Sequence, residues 1–245
     1  MIEQKDYIES TLSLKAESFD IELIPEYDLI LEIGFNYFRF AAKNKTQLVL
    51  LEDYNYPRNG PIKDFIFQLF NEHVFLAARF WKSIKVLIHS KRKTVVPSKL
   101  NNEQSQHIWK ALFGEPLQND FIQSQAIIDE QTLIYATDKR VITFLKDFYQ
   151  KKEIEFLPVE INLLPFKTDI AYLLYDGSGY YLVSKNETIS TYYSHDYKVL
   201  LKHLKNSNIK LVGEITKYSE CFKYLSGSGF KVSFSVMDSH HKWPS

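Results

Sequence analysis

The stretch LILEIGFNYFRFAA, residues 29–42, decides the start of the fold. Its apolar residues cluster on both sides of Gly34-Phe35-Asn36, a break typical of a turn between two β-strands. A second break at Lys43-Asn44-Lys45 separates these strands from a third apolar run. We therefore predict an antiparallel meander of three strands, at residues 29–33, 37–42 and 47–54.

A helix and a further strand are predicted after this meander. Asn59-Gly60-Pro61 supplies a cap and a first-turn proline, and apolar residues then recur at three-and-four spacing from Ile62 to Trp81. The apolar run Ile84–Ile88 predicts a short buried strand, parallel to the first strand because a helix separates the two. Together these elements make a βββαβ unit.

The same pattern restarts near residue 168. A second meander is predicted at residues 171–175, 180–183 and 188–193, turning at Asp176-Gly177-Ser178-Gly179. It is followed by a helix from Tyr197, a strand at 209–213, a helix from near Thr216 and a last strand at 230–236. The intervening chain predicts a helix ending at Gly114, strands at 121–128 and 132–135, a helix at 141–148 and a strand at 154–161.

The repeated order of elements predicts an internal duplication, with a first half at residues 1–165 and a second at 166–245. Superposing the two orders places Gly34 against Gly177 and Tyr37 against Tyr180. This hypothesis rests on the order of the strands and helices, because few residues are identical between the two halves.

Composition limits the classes of function. Of the 245 residues, 45% are hydrophobic and 24% are charged, as in ordinary globular proteins. Lys plus Arg and Asp plus Glu number 30 each, so we expect neither a nucleic acid nor an acidic membrane as partner. The single cysteine, Cys221, excludes an internal disulfide. Residues 1–10 lack the apolar run of a signal peptide, and we expect a cytoplasmic protein.

A βββαβαβ unit that occurs twice is the plan of the actin-like ATPase superfamily, which the chain resembles over nearly its whole length. More narrowly, the chain resembles a bacterial family known as domain of unknown function 3822, in both meanders and in the stretch Val95-Val96-Pro97-Ser98-Lys99-Leu100. The resemblance implies an α/β, ribonuclease-H-like fold with two lobes of mixed sheets flanked by helices. It implies no assigned biochemical activity.

The superfamily places an Asp-x-Gly turn in each half, where backbone N–H groups cradle phosphate and the carboxylate holds Mg²⁺ through water. In the first turn, Glu32 keeps a carboxylate before Gly34, and Arg39 stands where a basic residue often lies. Phe35, however, replaces a small hydroxyl residue and is expected to narrow the cradle. Either the turn still contacts phosphate, or Glu32 has a structural role.

The second turn, Asp176-Gly177-Ser178-Gly179, exposes N–H groups suited to an anion, but it is also a common hairpin connection. Of the Gly-Gly turn that accepts adenosine in the superfamily, only Gly213 remains, because Glu214 replaces the second glycine. The candidate cofactor-binding residues are Glu32, Gly34, Arg39, Asp176, Gly177, Ser178, Gly179 and Gly213. We predict no catalytic residue and no metal ligand.

These degraded turns favour a non-catalytic actin-like protein, without a cofactor, that acts as a scaffold or protein-interaction module. Aromatic richness and the pairs Tyr180-Tyr181 and Tyr192-Tyr193 indicate a protein partner, because neighbouring strand residues place rings on both faces of a sheet. The alternative is a divergent ATP-binding protein or kinase that uses ATP with Mg²⁺ at Glu32, Arg39 and the second turn. The sequence leaves the oligomeric state open.

Overall fold

A computed structural model describes residues 8–34, 37–45, 47–55, 62–90, 92–100, 102–127, 130–150, 152–159, 170–175, 179–185, 189–204, 208–213 and 220–234. Several residues singled out in the sequence lie outside these ranges: Phe35, Asn36, Asn59, Gly60, Pro61, Asp176, Gly177, Ser178, Glu214 and Thr216. The contacts reported below concern the described residues.

The described residues form fourteen strands, six α-helices and one 3₁₀ helix, Ile21–Glu26. The strands are β1 (Leu12–Lys15), β2 (Asp28–Ile33), β3 (Tyr37–Asn44), β4 (Gln47–Asn55), β5 (Ser83–Ile88), β6 (Lys93–Pro97), β7 (Asp120–Ile127), β8 (Gln131–Asp138), β9 (Ile154–Pro158), β10 (Ile170–Tyr175), β11 (Tyr180–Lys185), β12 (Ile189–Ser194), β13 (Asn208–Gly213) and β14 (Lys231–Phe234). The helices are α1 (Ile62–Glu72), α2 (Val74–Ala77), α3 (Asn102–Phe113), α4 (Lys139–Phe148), α5 (Tyr197–Leu201) and α6 (Glu220–Gly227).

These elements belong to two compact units, each described by itself. Of the described residues, the first unit takes in those up to residue 87 and residues 143–156, and the second takes in residues 88–142 and those from 157 to 234. The first unit carries a six-stranded sheet of order β1-β4-β3-β2-β5-β9. The second carries a three-stranded sheet, β6-β8-β7, and a five-stranded sheet, β12-β11-β10-β13-β14. The mixed sheets and helices confirm the predicted α/β class.

The core of the first unit lies between one face of its sheet and the helices. Alternation along β3 places Phe38 and Phe40 on that face, because successive strand side chains point to opposite sides. The ring of Phe38 meets Phe70 of α1 at 6.0 Å in an edge-to-face contact. Phe70 in turn contacts Phe144 and Phe148 at 5.5 and 5.2 Å. Such aromatic packing buries large apolar surfaces and stabilises the helix layer.

The prediction of one long helix from Ile62 to Trp81 was wrong. α1 ends at Glu72, and His73 adopts an extended backbone conformation before α2 begins. The Nδ1 atom of His73 accepts a hydrogen bond from the N–H of Leu76, which satisfies one of the unpaired donors at a helix start. The break therefore comes from a capping side chain inside an otherwise helical pattern.

The same histidine belongs to a polar cluster around Glu52. The carboxylate of Glu52 lies 3.0 Å from Nε2 of His73, and it accepts hydrogen bonds from Tyr54 Oη at 2.5 Å and Ser13 Oγ at 3.2 Å. Burial alone would raise the pKa of Glu52, but the hydrogen bonds from His73 and Tyr54 outweigh burial and lower it. Glu52 therefore stays ionised and ties β1, β4 and the start of α2 together.

The second unit confirms the predicted second meander. β10 pairs antiparallel with β11, and β11 pairs antiparallel with β12. β10 also pairs in parallel with β13, which follows α5 in the chain, as a helical connection requires. Cys221 of α6 belongs to the apolar core over this sheet, and burial raises the pKa of its thiol to about 12.

The three-stranded sheet contains β6, which was not predicted. Residues 93–97 include two polar residues and a proline, so they lack the apolar alternation that indicated the other strands. β6 pairs antiparallel with β8, and Val96 packs with Trp109 of α3.

Within the described ranges, no helix is long and apolar enough to cross a membrane.

We predict that Glu52→Gln lowers the free energy of unfolding by about 1–3 kcal/mol at pH 7, because its hydrogen-bonded donors lose a charged acceptor. The pKa of Glu52 is lower in the folded state than its ordinary value of 4.5, so its contribution is present above that value. The contribution is lost as the pH falls through the folded pKa. Urea unfolding at pH 7, 5 and 3.5 should therefore show the difference between the two proteins shrinking with acid.

Glu155→Gln is the matched control. Glu155 is exposed and pairs at 3.4 Å with the half-buried Lys85, so its loss should cost less than about 1 kcal/mol. A difference between Glu52→Gln and the unmodified chain that stays constant from pH 7 to 3.5 would contradict the assigned role of Glu52.

Candidate functional site

Three charged residues stand side by side on the face of the six-stranded sheet opposite Phe38 and Phe40. The strand register pairs Glu32 of β2 with Arg39 of β3, and Arg39 with Asp53 of β4. Residues directly opposite on antiparallel strands share one face, which brings the three side chains together. Glu32 is wholly buried and Arg39 is 8% exposed, so we name Glu32, Arg39 and Asp53 the buried charge row.

Arg39 is hydrogen-bonded at both ends of its guanidinium. Its Nε and Nη2 atoms donate to the two carboxylate oxygens of Asp53, the Nη2 bond measuring 2.8 Å. Its Nη1 atom lies 3.5 Å from Oε2 of Glu32. Burial alone would lower the pKa of Arg39, but its bonds to Asp53 and the charge of Glu32 raise it above its ordinary value. The guanidinium is therefore a fixed positive charge between two carboxylates.

Tyr37 closes the hairpin over Gly34. Its hydroxyl donates to Oε1 of Glu32 at 2.5 Å, and its ring centroid lies 5.5 Å from the Arg39 guanidinium. The N–H of Gly34 donates to the carbonyl of Tyr37 at 2.9 Å. A Cβ atom at Gly34 would overlap the Tyr37 ring, so only glycine leaves room for it. The packing of the Tyr37 ring in the same hairpin therefore explains why residue 34 is a glycine.

This arrangement does not fit a phosphate group with Mg²⁺. Both oxygens of Glu32 are engaged by Tyr37 and Arg39, and the N–H of Gly34 is used inside the hairpin. The guanidinium occupies the position between the carboxylates where a cation would neutralise them. Among the described residues, no cluster of three His, Cys, Asp or Glu side chains is arranged to hold a metal ion.

Two candidate residues of the second half, Gly179 and Gly213, lie in the second unit. Gly179 is buried, and a Cβ atom there would overlap the ring of Tyr193. The Tyr193 hydroxyl lies 3.2 Å from Nδ1 of His195. Gly213 ends β13 opposite Tyr175 of β10. The structure thus brings Glu32, Gly34 and Arg39 together, whereas Asp176, Gly177 and Ser178 lie outside the described residues.

Sequence reasoning missed Tyr37 and Asp53 as members of this site. The signal was present in the alternation of the three predicted strands. A hairpin centred on the turn after Gly34 sets Arg39 opposite Glu32, and the next strand then offers an acid on the same face. Cross-strand pairing of opposite charges is the rule that would have found Asp53.

We predict that Asp53→Asn lowers the free energy of unfolding by about 3 kcal/mol, because it breaks a buried ion pair and leaves the charge of Arg39 poorly compensated. Urea unfolding at pH 7 measures the change. Asp28→Asn is the control. Asp28 contacts the exposed Lys82 at 3.3 Å and accepts a hydrogen bond from Ser83 Oγ at 2.6 Å, which an amide oxygen can still accept, so the change should cost less than about 1 kcal/mol. Equal losses of unfolding free energy in the two variants would contradict the prediction that the buried charge row stabilises the fold more than an exposed ion pair does.

Comparison with known proteins agrees with the fold. A crystal structure from Bacteroides thetaiotaomicron VPI-5482, described as a protein with actin-like ATPase fold and unknown function, is similar with a TM-score of 0.69 and 16% sequence identity. The match covers 91% of this chain and 95% of that one. At these identities the similarity concerns the fold alone.

A chain of the PilM-PilN type IV pilus biogenesis complex is similar with a TM-score of 0.52 and 12% identity, covering 89% of this chain and 90% of that one. No curated protein matches the chain. The sequence model of the family described as "Protein of unknown function (DUF3822)" matches residues 16–165, which is more than half of the chain. The chain therefore belongs to this family, and its sheets and helices have the actin-like ATPase fold.

Proposed function

We propose that this chain is a non-catalytic actin-like protein that acts by binding a protein partner. The observation that carries the proposal is the hairpin at Gly34, where Tyr37 covers the glycine and bonds to Glu32. In the actin-like superfamily this turn receives phosphate and Mg²⁺. In this chain the ring of Tyr37 and the guanidinium of Arg39 occupy that position instead.

The energetics support this proposal. A phosphate at the first hairpin would have to displace Tyr37 and draw Arg39 away from Glu32 and Asp53. Breaking a buried ion pair costs about 3–5 kcal/mol. Since about 1.4 kcal/mol corresponds to a factor of ten in affinity, the cost weakens nucleotide binding at least a hundredfold. Glu32 would also remain buried next to the negative phosphate, which disfavours binding further.

Partner binding is supported by the fold comparison and by the surface. The similar PilM-PilN chain comes from a complex of two proteins. In this chain several aromatic side chains are exposed: Phe67, Phe80, Tyr193 and Tyr224. Exposed aromatic residues are enriched at protein interfaces, because they bury much area at a low entropy cost.

We also propose that the fold arose by duplication, with halves at residues 1–165 and 166–245. The strand order β4-β3-β2-β5 in the first unit matches β12-β11-β10-β13 in the second. In each unit the first strand of the meander, β2 or β10, lies next to the strand that follows the helical segment after the meander, β5 or β13.

We predict that ATP or ADP with Mg²⁺ leaves the thermal unfolding of the full chain unchanged. A ligand present at about 100 times its Kd would stabilise the folded state by about 2.7 kcal/mol, which a thermal-shift measurement resolves. Isothermal titration with the same nucleotides should release no saturable heat. A non-hydrolysable ATP analogue serves as a further probe, because it removes turnover from the measurement.

Glu32→Gln separates the proposal from a divergent ATP-binding protein. In such a protein, loss of the carboxylate would weaken Mg²⁺-dependent binding of ATP. Under the proposal, the variant lowers stability and does not change the response to nucleotide. Mg²⁺-dependent stabilisation by ATP that disappears in Glu32→Gln would overturn the proposal.

A further inference from the structure

The strand β7 lies at one edge of the three-stranded sheet in the second unit. In the order β6-β8-β7, it pairs with β8 on one side, and within the described residues no strand pairs with its other side. We name this outer side of β7 the β7 edge. An unpaired edge presents backbone N–H and C=O groups that can bond to a further strand.

The strand register shows which residues direct their backbone groups to the β7 edge. The N–H of Ala136 donates to the carbonyl of Arg92 at 3.1 Å, so the backbone of Ala136 points toward β6. Backbone direction alternates along a strand, so the backbone of Tyr135 points toward β7, where it faces Gln123. Every second residue of β7, counted from the neighbours of Gln123, therefore points outward. These residues are Ile122, Ser124 and Ala126.

The other edge strands carry features that hinder pairing with a further strand, whereas β7 does not. Natural edge strands are typically short or contain lysine or proline. β1 and β14 have four residues each and include Lys15 and Lys231. β6 contains Lys93 and Pro97, and β9 contains Pro158. β12 is uncharged but has six residues, while β7 has eight, with neither charge nor proline from residue 121 to 127.

Exposed apolar side chains accompany the β7 edge. Phe121 of β7 is 44% exposed, and Leu117, in the turn before the strand, is 66% exposed. The carbonyl of Leu117 accepts the N–H of Asp120 at 2.9 Å, which holds this turn at the start of β7. Backbone hydrogen bonds exchanged with water stabilise an interface only modestly, so burial of such apolar area is needed as well.

A second copy of the same chain can use every outward group of the β7 edge. If two copies pair antiparallel about a two-fold axis at Ser124, each Ser124 faces the other, and Ile122 of each copy faces Ala126 of the other. Facing residues of this kind exchange two N–H···O bonds per pair. The chain has 30 basic and 30 acidic residues, so two copies do not repel each other at long range.

Charge and hydrogen bonding select this position of the axis over its neighbours. An axis one residue later would set Asp120 of each copy opposite Glu130 of the other, and like charges directly opposite are destabilising. An axis one residue earlier would require the N–H of Asp120, which is already donated to Leu117. With the axis at Ser124, Asp120 falls opposite an uncharged residue.

We propose that two copies of this chain associate through the β7 edge, antiparallel about a two-fold axis at Ser124, so that the sheet continues from one copy into the other. The proposal concerns self-association. It rests neither on the absence of nucleotide binding nor on the binding of a different protein.

The first test measures the association of the full chain by sedimentation over a range of concentrations. We expect a monomer–dimer equilibrium with a Kd in the micromolar range. Ser124→Pro removes an N–H that points outward and leaves the bonds to β8 in place, so it should raise the dimer Kd at least tenfold. Ser124→Thr is the matched control, because it keeps the N–H and should keep the dimer. Circular dichroism reports whether each variant is folded.

The second test uses cysteine cross-linking to locate the axis. The Cα atoms of a hydrogen-bonded antiparallel pair lie about 5.5 Å apart, within the range of about 4.4–6.8 Å for disulfides. Mild oxidation with copper phenanthroline should therefore link two copies of Ser124→Cys. Ala126→Cys is the control, because its two cysteines would lie four residues apart along the strands, or about 13 Å. The native Cys221 is buried and does not take part.

Three results would overturn the proposal. A chain that stays monomeric up to about 100 μM would mean that the β7 edge is not used for self-association, as when a segment outside the described ranges covers it. An unchanged dimer Kd in folded Ser124→Pro would place the interface elsewhere. Equal cross-linking of Ala126→Cys and Ser124→Cys would contradict the axis at Ser124, and this comparison decides the result if Ser124→Pro does not fold.

Discussion

Arg39 lies between two carboxylates in the interior of the first unit, and the arrangement of the surrounding strands depends on that contact. Glu32, Arg39 and Asp53 come from three adjacent strands, so their charges compensate only in one register. A slip of one residue would move the guanidinium to the face that carries Phe38 and Phe40 and leave the buried Glu32 and the half-buried Asp53 without a counter-charge. The row therefore specifies the register of the meander as well as stabilising it.

The same contact accounts for the residue types at the first hairpin. A carboxylate, a glycine and a basic residue lie there, and each has a partner within the chain: Glu32 with Tyr37 and Arg39, Gly34 with the Tyr37 ring, and Arg39 with Asp53. A glycine at this position is required by the packing of Tyr37, whether or not a phosphate ever binds.

The sequence was informative where structure depends on neighbours in the chain. Alternation and turn residues predicted β2, β3 and β4, and again β10, β11 and β12, to within a few residues. It failed where a distant contact decides the outcome. His73 interrupts the helix by capping α2 while bonding to Glu52, 21 residues away. Asp53 is recognised as the partner of Arg39 only when the register of the predicted meander is worked out from its turns, because spacing along the chain does not pair the two residues by itself.

The buried thiol of Cys221 has a practical consequence for work on this chain. It is the single cysteine of the sequence, it is 1% exposed, and its pKa of about 12 keeps it protonated at neutral pH. Maleimide reagents attack thiolates, so they will leave Cys221 unlabelled in the folded protein. A cysteine introduced on the surface of each unit would then accept a fluorophore selectively. With these two introduced cysteines, the distance between the two units can be measured by energy transfer without first removing Cys221.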